Sequence, residues 1–123
     1  MARLYRVILQ VGDLSAAVRF YSAVLGIGGK KVSSGRHYFD CGGTILVCYD
    51  PIADRDKTPA QANPDHIYFA VPDLEAVLAR VREAGGVIVE AIALQPWGER
   101  SFYAKDPFGN PICFVDEKTV FTG

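Results

Sequence analysis

Side chains able to do chemistry are few in this sequence. It has two histidines, His37 and His66, and three cysteines, Cys41, Cys48 and Cys113. An imidazole titrates near neutral pH, so His66 is either a general base, a metal ligand or simply a hydrogen-bonded histidine. A cysteine is a nucleophile only as the thiolate, so Cys113 is either a thiol activated by a nearby cation such as Arg6 or a small inert hydrophobe. The odd cysteine count and the absence of C-x-x-C spacing indicate neither a disulfide framework nor a zinc knuckle. Arg6 brings a guanidinium suited to holding a carboxylate or phosphate through paired hydrogen bonds. If buried, it needs such a ligand or a structural partner, for which Asp40, Glu99 and Glu117 are the candidates. Trp97, Arg100 and Tyr103 add aromatic faces and a second cation. His37 and Tyr38 are secondary candidates, expected as exposed hairpin side chains.

The elements that position these residues follow from an internal repeat. Val11-Gly-Asp13-Leu14 recurs sixty residues later as Val71-Pro-Asp73-Leu74. The offset persists through an apolar stripe at helical spacing, Leu14, Ala17, Val18 and Tyr21 against Leu74, Val77, Leu78 and Val81. Asp13 and Asp73 are placed as helix N-caps, and Gly26 and Gly86 as the left-handed residues that end the helices. Before each helix lies a strand-like run, Tyr5 to Val11 and His66 to Val71. After the first come strands near Lys30–Val32, Arg36–Cys41 and Thr44–Tyr49. After the second come Val87–Leu94, Arg100–Lys105 and Pro111–Val115, with Asp106-Pro-Phe-Gly-Asn110 as a turn. The order is β-α-β-β-β twice, an α+β protein, with one module at about 4–50, a proline-bearing linker at 51–64 and a second module at about 65–118.

These residues resemble the vicinal oxygen chelate superfamily, which groups glyoxalase I, extradiol dioxygenases and bleomycin- and fosfomycin-resistance proteins. The resemblance is carried by Val11-x-Asp13-Leu14 with Phe20-Tyr21 and Leu25-Gly26, by His66 with Val71-x-Asp73-Leu74, and by Trp97-Gly98-x-Arg100 followed by Asp106-Pro-Phe-Gly-Asn-Pro-Ile112. It implies a single domain over 1–123, in which two βαβββ modules form a curled mixed sheet around a cup that holds a small-molecule ligand. It also implies a homodimer. Side chains alternate across a strand. If Val7, Leu9 and Val11 face the helix, Arg6, Ile8 and Gln10 face the cup, and the same parity turns His66, Tyr68 and Ala70 inward. Metal-dependent relatives draw four ligands from such positions, typically His, Gln or Glu, and by motif these map to Arg6, Val47, His66 and Cys113. Arginine has no lone pair to donate and valine has no donor atom. Two ligands remain, short of the three or four that zinc needs. No cofactor is therefore expected, with a divalent metal held by His66 and Cys113 as the alternative.

The expected ligand contacts are Arg6, Gln10, His66, Tyr68, Trp97, Arg100, Tyr103 and Cys113. The expected function is metal-independent binding of an aromatic or anionic small molecule. The alternative is a glyoxalase-like lyase or isomerase, either metal-dependent or using His66 as base and Arg6 as oxyanion stabiliser, and the residues leave open whether there is turnover. Composition narrows the partners. The 123 residues carry 13 basic and 14 acidic side chains, net charge −1, without a run of like charge, so neither nucleic acid nor an anionic membrane is expected. No apolar run approaches the roughly 20 residues of a membrane span, nor does the N-terminus read as a signal peptide, so a cytoplasmic location is expected.

Overall fold

The computed structural model describes the whole chain, Met1–Gly123, as two compact units, Met1–Asn63 and Pro64–Gly123. In the first, β1 (Arg6–Gln10), α1 (Leu14–Leu25), β2 (Lys30–Ser33), β3 (Arg36–Cys41) and β4 (Thr44–Tyr49) follow one another. In the second, the sequence is β5 (Ile67–Val71), α2 (Leu74–Glu83), β6 (Val87–Leu94), β7 (Arg100–Lys105) and β8 (Pro111–Asp116), then a 3-10 turn at Glu117–Thr119. The duplicated β-α-β-β-β order is thus observed. The strands form two separate four-stranded sheets, ordered β1-β4-β3-β2 and β5-β8-β7-β6. Each sheet is mixed, because its first and last strands pair in parallel while the rest form antiparallel hairpins. The helix after the first strand supplies the long crossover that a parallel pair needs.

Both helices start as expected. The Asp13 carboxylate accepts from the Ala16 N–H at 3.0 Å and that of Asp73 from the Ala76 N–H at 3.1 Å, and each such cap is worth about 1 kcal/mol. Gly26 ends α1 in the left-handed region at φ 71°. The second helix stops earlier than expected. Ala84 caps it, and Gly85 rather than Gly86 takes the positive φ, at 100°.

The alternation argument holds in both modules. Leu9 and Val11 are fully buried under α1 with Phe20, Tyr21 and Phe39, whereas Ile8 is 45% exposed. In the second module Phe114 stacks on Phe69 at 5.1 Å and on Phe102 at 5.2 Å, beside the buried Leu74, Val77 and Val81 of α2. The linker is more ordered than its composition suggests. Its first residues coil into a turn in which the Asp56 N–H donates to the Pro51 carbonyl at 2.8 Å. That turn lies against the β2–β3 hairpin so closely that a Cβ on Gly35 would run into Asp50 and Asp54. No helix is long and apolar enough to cross a membrane.

Candidate functional site

The open face of the first sheet contains a recess of about 320 Å³. Its wall is built strand by strand: Arg6 and Ile8 from β1, Val47 from β4, Arg36 and Tyr38 from β3, Val32 and Ser33 from β2. Register explains the grouping, since Val47 lies opposite Ile8 on one side and opposite Tyr38 on the other. Arg6 is not buried, contrary to one expectation, because it opens an edge strand and so reaches solvent. Its guanidinium carbon lies 4.8 Å from the Tyr5 ring centre and 5.2 Å from that of Tyr38. A hydrogen bond with Tyr5 raises its pKa further, so the cation is permanent. Within its own module Arg6 forms no ion pair, and the candidate there, Asp40, accepts from the Gly43 N–H. In the other module Glu99 accepts from Trp97 and from the Phe121 N–H.

Arg36, by contrast, is neutralised. It donates to Asp54 at 2.9 Å and lies 4.4 Å over the Tyr49 ring. Asp54 also accepts from the Ser33 hydroxyl at 2.7 Å and the Gly35 N–H at 3.0 Å, and these bonds, that from Ser33 foremost, hold its carboxyl below the usual range. The Gln10 side-chain oxygen accepts from the Gln61 N–H at 3.0 Å, tying the linker to β1.

On the second sheet, Cys113 of β8 lies opposite Tyr68 of β5 and Tyr103 of β7. His66, just before β5, meets the Tyr103 ring edge to face at 5.0 Å, and Tyr68 meets Tyr103 at 6.4 Å. His66 and Tyr68 are exposed, while Cys113 is fully buried. Burial pushes the Cys113 thiol up to about 11, against the opposing pull of hydrogen bonds with Ser101 and Tyr103. The thiol is therefore protonated at neutral pH, which supports the reading of Cys113 as a small inert hydrophobe over that of an activated thiolate. Burial likewise pushes Tyr103 up to about 12.

Arg100 and Tyr103 stand three apart on one strand and so face opposite ways. Arg100 turns to α2, where it donates to both oxygens of Glu75 at 2.7 and 3.1 Å. Its guanidinium also lies 3.7 Å from Asp116. Trp97 is 48% exposed in the β6–β7 turn, its indole N–H donating to Glu99 at 2.7 Å. His37 is not an exposed hairpin residue. It is buried on the helix side, with its Nε2 2.8 Å from the Gly28 carbonyl. The expected contacts leave out Val32, Ser33 and Arg36, although parity with Tyr38 marks Arg36; Ile8 is placed on the cup face but not among them.

The usual metal does not fit. Of the four mapped positions, Arg6 and Val47 offer no lone pair, which leaves His66 and Cys113, two ligands where three or four are needed. Neither module gathers three or more His, Cys, Asp or Glu side chains in a metal-binding group.

Comparison with known proteins agrees with the motif resemblance. Residues 3–114 match the model of the Glyoxalase/Bleomycin resistance protein/Dioxygenase superfamily. A probable lactoylglutathione lyase from Vibrio cholerae is 25% identical over 98% of this chain and 95% of its own. A glyoxalase-related enzyme from Fulvimarina pelagi superposes with a TM-score of 0.81 at 18% identity, over 100% of this chain and 94% of that one. A glyoxalase/bleomycin resistance protein from Albidiferax ferrireducens T118 superposes with a TM-score of 0.77 at 26% identity, over 91% and 97%.

Proposed function

This chain belongs to the Glyoxalase/Bleomycin resistance protein/Dioxygenase superfamily, and from that premise we propose that it binds a small aromatic or anionic molecule without the divalent metal. The observation that carries this reading is the recess of the first sheet, where a cation between tyrosine rings and a valine occupy two mapped ligand positions. At about 320 Å³ the recess is at the lower end of small-molecule sites, and its exposed Ile8 and Val32 suit an apolar body. The exposed rings of His66, Tyr68 and Trp97 are further candidate contacts on the second module. We also infer a cytoplasmic homodimer. The exposed Leu94, Trp97 and Phe121 motivate the dimer, and light scattering of the purified protein tests it.

The test is titration of chelator-treated protein with a panel of aromatic acids, phosphates and neutral aromatics, followed by tyrosine and tryptophan fluorescence and by melting temperature. Saturable binding without metal is expected. Absence of binding up to about 10 mM, or binding only after stoichiometric zinc or nickel, overturns the proposal. The second reading is lyase chemistry, favoured by the near full-length match to the Vibrio cholerae protein. Here His66, exposed beside Tyr103, would serve as the base. Turnover in the lactoylglutathione lyase assay, abolished by His66→Ala, would establish it.

A further inference from the structure

The charges around the recess do not balance evenly, and their imbalance specifies a ligand class. Arg36 is cancelled by Asp54 at 2.9 Å. Lys30, Asp40 and Arg3 do not line the recess, and Arg3 donates to the Gly43 carbonyl at 3.0 Å. Of the two guanidinium groups in the recess wall, Arg6 is the one without an ion pair. Its guanidinium is laid against the Tyr5 and Tyr38 rings, which orient its plane and leave N–H donors for a ligand. Next to it along the sheet face lie Ile8 and Val47, with Val32 across the recess, none of which can bond a polar group.

We propose that Arg6 takes over the charge role of the missing metal and that the recess selects small monocarboxylates with a flat apolar body, the carboxylate paired with the Arg6 guanidinium and the body on the exposed Ile8 and Val32. This rests on the binding function proposed above. A guanidinium grips two carboxylate oxygens in parallel, as a metal grips a chelating pair, but needs no loading and is indifferent to chelators. A second anionic group finds no second unpaired cation in the recess wall, so a dicarboxylate gains nothing there over a monocarboxylate and loses the desolvation of its extra charge. A neutral isostere leaves Arg6 without a counter-charge.

The experiment is calorimetric titration, with EDTA present, of the wild type, Arg6→Met and Arg6→Lys with benzoate, 2-naphthoate, phthalate, benzamide and benzylamine. Arg6 is exposed, so both variants should fold, and an unchanged melting temperature checks this. For the wild type, 2-naphthoate and benzoate should bind at least about tenfold more tightly than benzamide, phthalate or benzylamine, since a hydrogen-bonded charge is worth about that factor. Arg6→Met should remove at least about tenfold from the monocarboxylates and under about threefold from benzamide, with Arg6→Lys in between because it keeps the charge and loses the fork. If aromatics bind but benzamide equals benzoate, or Arg6→Met leaves benzoate affinity intact, this inference falls and metal-free binding stands. If none of the five binds, the inference falls, while the wider panel of phosphates and other aromatics decides the binding function.

Discussion

Replacing Asp106 by alanine should cost more stability than any other single polar substitution in the second module. The Asp106-Pro-Phe-Gly-Asn110 loop closes on this carboxylate. One oxygen accepts from the Phe108 N–H and the Asn110 N–H, each at 2.9 Å, and the other from the Asn110 side-chain amide at 2.9 Å. Asp106 is 2% exposed and Asn110 is fully buried. Truncation therefore strands both Asn110 donors away from water, while the Phe108 N–H is only partly covered. At about 1–3 kcal/mol for each of the two buried donors, the expected loss is about 2–6 kcal/mol, a large share of the roughly 5–15 kcal/mol that holds a domain folded. Asp106→Asn is the sharper control. Its oxygen can keep the two backbone N–H bonds, and its NH₂ then faces the Asn110 amide, which must turn to accept it, so the change should cost less than alanine, up to about 1–3 kcal/mol. Urea unfolding followed by far-UV circular dichroism, compared at unchanged m-value, measures both. An Asp106→Ala midpoint equivalent to under about 1 kcal/mol, or an Asn variant as unstable as the alanine one, would refute the account of the loop as a closed, dry hydrogen-bond unit.

Alkaline pH should weaken the second module in a defined window. Cys113 and Tyr103 bind their protons more tightly when folded, at about 11 and about 12 against 9.0 and 10.0. Stability from these groups is thus complete below about pH 9 and drains away as pH rises toward 12; Cys113→Ala should flatten the early part of that decline in urea melts at successive pH values. Cys113 should also resist a disulfide reagent at pH 8 in the native state and react once the chain is unfolded. His37→Ala should destabilise by about 1–3 kcal/mol because it removes a buried ring and strands the Gly28 carbonyl, whereas His66→Ala should be close to neutral in the same melt. Arg100→Met should leave ligand affinity unchanged. Arg100 holds the Glu75 carboxyl below its ordinary pKa, a contribution present above about 4.5 and lost as pH falls, so the gap in melting temperature between wild type and variant should close on acidification.

Repeat, element order, both N-caps and the sidedness of the first strands were legible in the sequence, whereas the end of the second helix was not, since Gly85 rather than Gly86 takes the positive φ. They depend on contacts within a few residues, or on the fixed two-residue alternation of a strand, and sixty-residue periodicity doubled the signal. Arg100 could have been sorted by the same rule, since its spacing from Tyr103 puts the two on opposite faces. What failed was the reading of burial. His37 was expected outside and lies under the helix, while Arg6 was read as buried and stands at an edge.

The division has a physical cause. Which face a side chain takes is set by the covalent geometry of its own strand, so Arg6, Ile8 and Gln10 shared a side from the start, as did His66 and Tyr68. How deep it lies, and what charge it meets, is set by pairings between distant residues. Arg6 is exposed because β1 pairs only with β4, residue 6 opposite residue 45. Arg36 is neutral and Arg6 is not because the linker turn returns Asp54 to one and not to the other. The lost metal ligands could be named from the chain alone, but that the arginine in their place stands uncancelled beside an apolar recess was decided only when the strands came together.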